Sequence, residues 1–291
     1  MARKCFSRLA AVVALVLCCS ACAAPAEPGS YMTIKVMDVG DADAILVLGN
    51  DGSSLLIDTG LEDTYGTVRR CLEDNGVKQL DMLIITHPHK DHIGGAMEVI
   101  RDFSPKAMYT TQTPHDSDEL EELLSAYGED FTYIQNGDSL TLDDIAIHVI
   151  SPSGGSYEEI NDYSAVLMME YGAKRFLMMG DAEKEAERQL IDTYGDDLKA
   201  DFLKVGHHGD NDATSKKFLA RVMPDCAAIS GDHSQDPDHV TDKVLDKLAD
   251  VGCQIYRTDE DGTITVTSVP HRETAFTITI PLKRFREEAK A

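Results

Sequence analysis

A compact apolar run, Leu80-Asp81-Met82-Leu83-Ile84-Ile85, opens directly into Thr86-His87-Pro88-His89-Lys90-Asp91-His92-Ile93-Gly94-Gly95. The run reads as a buried strand. A strand that hands over at once to three histidines and an aspartate narrows the possible folds sharply, because those groups need partners delivered to the same strand end. Neutral imidazole and carboxylate are the donor types that bind zinc, manganese or iron. The His-x-His spacing places two side chains on one side of an extended loop, and Asp91 and His92 follow in position to face a second ion. A polar loop with scattered histidines is the plain alternative. Matching groups further along the chain disfavour it.

The start of the chain reads as an export signal over residues 1–23. Arg3, Lys4 and Arg8 precede the apolar run Leu9 to Leu17, and small residues and cysteines follow. The run is short for a membrane span. Ser20-Ala21-Cys22 resembles the end of a bacterial lipobox, although Cys19 stands where leucine is expected. Lipidation at Cys22 is the preferred expectation, and cleavage near Ala23 or Ala26 is the competing one. Residues 24–30 form a tether, 31–282 one domain, and 283–291 a charged tail. Cys71, Cys226 and Cys253 remain, and an odd count without paired spacing points to buried thiols rather than a disulfide framework. The formal net charge of -24 reads first as a solvated exterior. It also repels phosphate backbones at long range, so a nucleic acid would need metal ions and local cations to be held.

From Tyr31 the pattern is of short strands separated by turn residues: Met32–Val36, Ala44–Leu48, a third from Ser54, then Leu80–Ile85, Ala107–Thr110, Phe131–Gln135, Ser139–Leu142 and Ile145–Ile150. A hairpin about Tyr171 to Lys174 follows, with arms Ser164–Glu170 and Arg175–Met179. Further strands are expected at Asp201–Val205, Cys226–Ile229, Gln254–Tyr256, Thr263–Thr267 and Ala275–Ile280. Helices are expected around Val68–Glu73, from Gly94-Gly95 to about Phe103, and over Leu120–Tyr127, Glu183–Tyr194, Ser215–Val222 and Val240–Asp250. His115 reads as a surface residue and His148 as a structural strand residue.

Metal-type residues recur just after strands, where rigid mounts converge. Asp181 follows a strand and a glycine, and its carboxylate can bridge two ions. His208 follows a strand and precedes Gly209. Asp58, at the end of a third strand, is placed to orient a ligand imidazole from behind.

With these residues in hand, the chain resembles the metallo-β-lactamase superfamily from about Met32 to Ile280, and in particular its ComEC-type competence branch. The carriers are Asp38-Val39-Gly40 with Asp43-Ala44, Leu56 to Gly60, Thr86 to Gly95, Asn161 to Ser164, Gly180-Asp181, Leu203 to Gly209, and Tyr256 to Asp259 with Asp261-Gly262. The branch is also similar to phosphorylcholine esterases of bacterial surfaces. The resemblance implies an α+β fold, a four-layer αββα sandwich with two divalent ions, zinc or manganese, at one edge. It assigns His87 and His89 to one ion, Asp91, His92 and His208 to the other, and Asp181 to both. Asp91 and His207 become the candidate catalytic groups, His207 as a proton carrier or phosphate contact. Asn161 becomes a candidate substrate contact, and Asp58 and Asp43 supports behind the ligands; His239, just before a helix, reads either as a further phosphate contact or as a surface residue at a helix start.

Three departures from the family pattern matter. Asn161-Asp162-Tyr163 stands where lactamases place another histidine on the first ion, which leaves that ion an open position and disfavours β-lactam hydrolysis. Gly40-Asp41-Ala42-Asp43 replaces the usual Gly-Gln-Gly-Asp. Asp210 replaces the serine that usually follows His-His-Gly, adding negative charge near the substrate. The expected function is hydrolysis of a phosphodiester, in DNA or in a wall- or lipid-derived compound, by a hydroxide activated between two ions. Hydrolysis of a lactone, thioester or amide is the alternative, as is a non-catalytic surface lipoprotein that keeps the metal site. The expected partners are the phosphodiester substrate and, through Cys22, the outer face of a membrane. Oligomeric state is left open.

Overall fold

The computed structural model describes residues 31–114, 117–269 and 277–281. The expected export signal, its lipobox cysteine, the tether, His115 and the charged tail lie outside them.

Period-two patterning builds the centre. In β1 (Met32–Val36), β2 (Ile45–Leu48), β3 (Ser54–Ile57) and β4 (Met82–Ile85), alternate residues such as Ile34, Val47, Ile57 and Ile84 enter one core, while Leu46, Leu56, Leu83 and Ile85 enter a second. β5 (Ala107–Thr110) and β6 (Phe131–Tyr133) continue that sheet. A second sheet comprises β7 (Ser139–Leu142), β8 (Ile145–Ser151), β9 (Val166–Tyr171), β10 (Lys174–Met178), β11 (Phe202–Lys204), β12 (Cys226–Ile229) and β13 (Gln254–Arg257). Its strands divide the same way: Leu167, Met169, Phe176 and Phe202 face the first sheet, and Met168, Leu177 and Leu203 face away. Strands apolar at nearly every position are what a sheet covered on both faces requires. β14 (Ile264–Ser268) and β15 (Thr277–Thr279) return to the first sheet beside β1, giving the orders β15-β14-β1-β2-β3-β4-β5-β6 and β13-β12-β11-β10-β9-β8-β7.

Helices close the outer faces. α1 (Tyr65–Asp74), α2 (Lys90–Ile93), α3 (Ala96–Phe103) and α4 (Asp118–Tyr127) lie in the first half of the chain. α3 buries Ala96, Val99, Ile100 and Phe103, a single stripe at helical spacing, in the core under the first sheet. α5 (Lys184–Tyr194), α6 (Lys216–Val222) and α7 (Asp242–Asp250) cover the second sheet, with Ala186, Leu190, Phe218, Leu219, Val244 and Leu248 in its outer core. α8 (Thr258–Asp261) is a short turn, unanticipated in the sequence, that carries the chain from β13 to β14. The result is the expected α+β sandwich of four layers, αββα.

Two details differ from the sequence reading. Asp91 and His92 sit on the helical turn α2 rather than on an extended loop, with His89 as its N-terminal flank. Gly94 and Gly95 serve a close approach as well as a helix start. A Cβ on Gly95 would lie 2.7 Å from the Thr59 carbonyl oxygen, and one on Gly94 would lie 2.7 Å from the Glu62 amide nitrogen. The glycines let the α2–α3 junction seat directly on the loop after β3.

Candidate metal centre

Strand ends from both sheets deliver the site. The turn after β4 carries His87, His89, Asp91 and His92, the turn after β10 carries Asp181, and the turn after β11 carries His207 and His208. His207 and His208 adopt left-handed backbone with φ of 46° and 48°, a conformation that costs free energy for non-glycine residues and must be held by its surroundings. The holding bonds are His207 N–H to the Gly180 carbonyl (3.2 Å), Asp210 N–H to the His207 carbonyl (2.7 Å) and Val240 N–H to the His208 carbonyl (3.0 Å).

Two groups of donor atoms result. Atoms of Asp91, His92, Asp181 and His208 all lie within 4.8 Å of one another, as do those of His87, His89 and Asp181. Asp181 belongs to both. Its Oδ2 lies 3.0 Å from His92 Nε2, 3.5 Å from His87 Nε2 and 3.6 Å from His208 Nε2. Asp91 Oδ2 lies 3.0 Å from His208 Nε2 and 3.5 Å from His92 Nε2, and His87 Nε2 lies 3.0 Å from His89 Nδ1. The all-imidazole and carboxylate donor set suits zinc or manganese. Asp181 Oδ1 is buried and has no hydrogen-bond partner, an orphan that a cation would satisfy. The residues therefore fit a pair of divalent ions.

Electrostatics follow from this crowding. Burial opposes ionisation of Asp181, but the imidazoles of His92, His208 and His87 outweigh it and hold the carboxyl well below the usual carboxylate range. Burial likewise opposes charge on His92, yet Asp181, Asp58 and Asp91 raise it well above the ordinary imidazole value. Burial, with His92 beside it, pushes His87 well below that value.

The supports are tightly made. Asp58 Oδ2 lies 2.8 Å from His92 Nδ1, and the Asp58 carboxylate also accepts from Thr86 N (2.8 Å) and Thr86 Oγ1 (2.8 Å). His208 Nδ1 lies 2.9 Å from the Ser230 carbonyl and 3.6 Å from Asp43 Oδ1. Asp43 in turn accepts from Ser230 Oγ and pairs with the fully buried Lys204 (Nζ–Oδ2 2.9 Å). Ser164 Oγ accepts from Asp181 N at 3.1 Å. Thr86, Ser164 and Lys204 lie in motifs that carried the resemblance, but neither their supporting roles nor that of Ser230 was read from the sequence.

Asn161 and His207 meet beside the ligands rather than among them. Asn161 Nδ2 donates to Glu183 Oε1 (2.7 Å) and lies 3.3 Å from His207 Nε2, while His207 Nδ1 lies 3.2 Å from Glu183 Oε1. Burial lowers His207, but Glu183 and Asp181 more than compensate and its basicity rises above the ordinary value. His239 packs its ring 5.0 Å from that of His208 and 5.3 Å from that of His207. Its Nδ1 lies 2.8 Å from both carboxylate oxygens of Asp41, the residue that replaces the usual glutamine. His148 bonds Ser139 Oγ at 3.0 Å, away from the cluster, as a strand residue should.

Residues 37–233 match the Metallo-beta-lactamase superfamily. The chain belongs to that superfamily. Among curated relatives, ComE operon protein 3 of Bacillus subtilis is 32% identical over 79% of this chain and 32% of its own length. Competence protein ComA of Neisseria gonorrhoeae is 27% identical over 82% of this chain and 33% of its own. The competence-branch resemblance read from the motifs holds across these proteins, of whose length this chain spans about a third. Among solved structures, the metallo-beta-lactamase fold protein YhfI from Bacillus subtilis aligns with 82% of this chain and all (100%) of its own, at 14% identity and a TM-score of 0.57. That likeness speaks for the fold alone. Membership of the metallo-β-lactamase superfamily, with its metal-dependent hydrolases, makes the His/Asp cluster the candidate dinuclear centre of a hydrolase.

Proposed function

We propose that this chain hydrolyses phosphodiesters. The observation that carries the reading is the unequal pair of donor groups sharing Asp181: four residues on one side, and only His87 and His89 with Asp181 on the other. Asn161, at the position of the absent histidine, is engaged with Glu183 and His207. With three protein donors among the described residues, an ion held on that side would keep a coordination position for a substrate oxygen. Bound zinc or manganese would supply Lewis acidity and a water of lowered pKa, the chemistry suited to phosphoester cleavage. His87 and His89 would hold one ion, Asp91, His92 and His208 the other, and Asp181 both.

The remaining residues handle protons and orientation. Glu183 and Asp181 favour the protonated form of His207, which suits it as a cationic contact for phosphate. Asp41 fixes the ring of His239 through Nδ1, and Nε2 makes no hydrogen bond among the described residues, so it is free to meet a phosphate oxygen. Asp91 would serve as a carboxylate ligand beside His92 and His208.

The test is turnover of bis-(p-nitrophenyl) phosphate with Mn²⁺ or Zn²⁺. Asp181→Ala and His89→Ala are expected to abolish it, and wild-type rates in either variant would refute the reading. The competence relatives support DNA as the natural diester, while the net charge of -24 favours a short substrate. Export with a lipid on Cys22 belongs to the same proposal. Its check is mass spectrometry of the mature N-terminus, where an unmodified terminus at Ala24 or beyond excludes the anchor. No helix among the described residues is long and apolar enough to cross a membrane.

A further inference from the structure

A groove of about 670 Å³ has Thr113, Tyr133, Gln135, Pro152, Tyr157 and Tyr163 in its walls. It shares Gln112, Thr113 and Tyr133 with a small cavity of about 40 Å³ that reaches Pro88, the residue between His87 and His89. On the other side, Tyr163 follows two residues after Asn161, whose amide contacts His207. Two chain segments thus connect the groove's lining to the candidate centre, one through Pro88 and one through Asn161.

In a protein of net charge -24, none of the described residues lining the groove is Asp, Glu, Lys, Arg or His. One wall is rigid. Tyr157 and Tyr163 pack edge to face with centroids 4.9 Å apart, Tyr163 Oη accepts from Tyr157 N (3.0 Å), and Tyr157 Oη donates to Gln189 (2.8 Å). Tyr133 differs: it is 52% exposed, and its hydroxyl makes no hydrogen bond among the described residues. Gln112 and Gln135 add exposed amide groups at the margin.

We propose that this groove is a nucleobase subsite, with the base stacked on Tyr133 and its phosphodiester at the His87–His89 side of the centre. The inference rests on the phosphodiesterase reading and narrows its substrate class to nucleotide phosphodiesters. An uncharged planar ring suits a neutral lining, an open aromatic face and amide groups able to meet base edges. A quaternary ammonium group fits less well. Tyr157 and Tyr163 are only 8% and 6% exposed, so one open ring face remains where a cage needs several, and no carboxylate stands among the described lining residues.

The experiment compares thymidylyl-(3′→5′)-thymidine with the same diester carrying tetrahydrofuran units in place of both nucleosides, in Mn²⁺, with glycerophosphocholine as a third substrate. Wild-type kcat/KM should be about ten-fold higher for the base-bearing diester. Tyr133→Ala should erase that difference through KM while leaving the abasic diester unchanged, and Tyr133→Phe should keep it. Equal values for the two diesters, an equal loss on both in Tyr133→Ala, or a Tyr133-dependent preference for glycerophosphocholine would each overturn the subsite. Calorimetric titration with thymidylylthymidine reads the groove without cleavage, and an unchanged Kd in Tyr133→Ala would also overturn it. Failure to cleave any of the three substrates would count against the phosphodiesterase reading, while the titration would still decide the subsite.

Discussion

Single residues show how much of the centre is held from behind. Buried behind the candidate ligands, Asp58 fixes His92 through Nδ1 and gathers Thr86 with two further hydrogen bonds. It does so from left-handed backbone, φ 57°, while burial pushes its own carboxyl upward. Asp58→Asn keeps the shape but weakens the acceptor facing His92. Metal affinity should fall by about 10–100-fold, measured by competition with a chromogenic chelator. An unchanged affinity would show that Asp58 serves folding alone. Asp58 was legible in the sequence because it ends a strand in an Asp-Thr-Gly turn. Thr86, which it holds, was not, since a threonine before a histidine carries no chemical signature of its own.

Elements extend this logic to the segments that replace a family histidine. α5 lacks a cap from its own flank, and Asp162 supplies one across the loop, accepting from Glu183 N (2.8 Å) and Ala186 N (3.0 Å). The Asn161-Asp162-Tyr163 departure is thus also a helix cap, and it places Glu183 against His207. One turn further along α5, Glu187 is buried and accepts from Ser215 N (3.0 Å), tying α5 to the start of α6. Burial raises its carboxyl to about 7, against the lowering effects of Ser215, Thr214 and Lys247. The folded state therefore holds a proton that the unfolded chain releases from about pH 4.5 upward. The stability tied to that proton is full below this point and is lost as pH rises toward 7. Glu187→Gln cannot ionise, so it should gain roughly 3 kcal/mol on the wild type between pH 4.5 and 7.5. Urea unfolding at the two pH values checks this, and parallel pH dependence in both proteins would contradict it.

Across the whole molecule, the site sits where two sheets meet, and one buried ion pair joins them directly beneath it. Lys204 ends β11 in the second sheet, and Asp43 precedes β2 in the first, with its N–H bonded to the Asp91 carbonyl at 3.1 Å. Lys204→Met strips the counter-charge and leaves a buried carboxylate. Stability of the metal-free protein should drop by about 3–5 kcal/mol, read from the shift in urea midpoint. A shift under about 1 kcal/mol would mean that water or Ser230 compensates. Lys204 read as part of an ordinary strand in the sequence, because its partner is more than 150 positions earlier and on the other sheet.

Local pattern settled what local pattern can encode. Short apolar runs between turn residues marked the strands, and the family resemblance supplied their stacking into a sandwich. Histidine and aspartate spacing after those strands marked the metal-type groups, because ligand chemistry depends on residue type and strand ends are rigid. Tertiary structure decided the rest. It paired Asp41 with His239 and Lys204 with Asp43, bent His207 and His208 into left-handed backbone, seated Gly95 on Thr59, and opened a groove with no charged side chain among its described lining residues. Those features depend on distances between residues far apart in sequence, and such distances are fixed only when the two sheets close on each other and the cost of burying each polar group is met by a partner from the opposite layer.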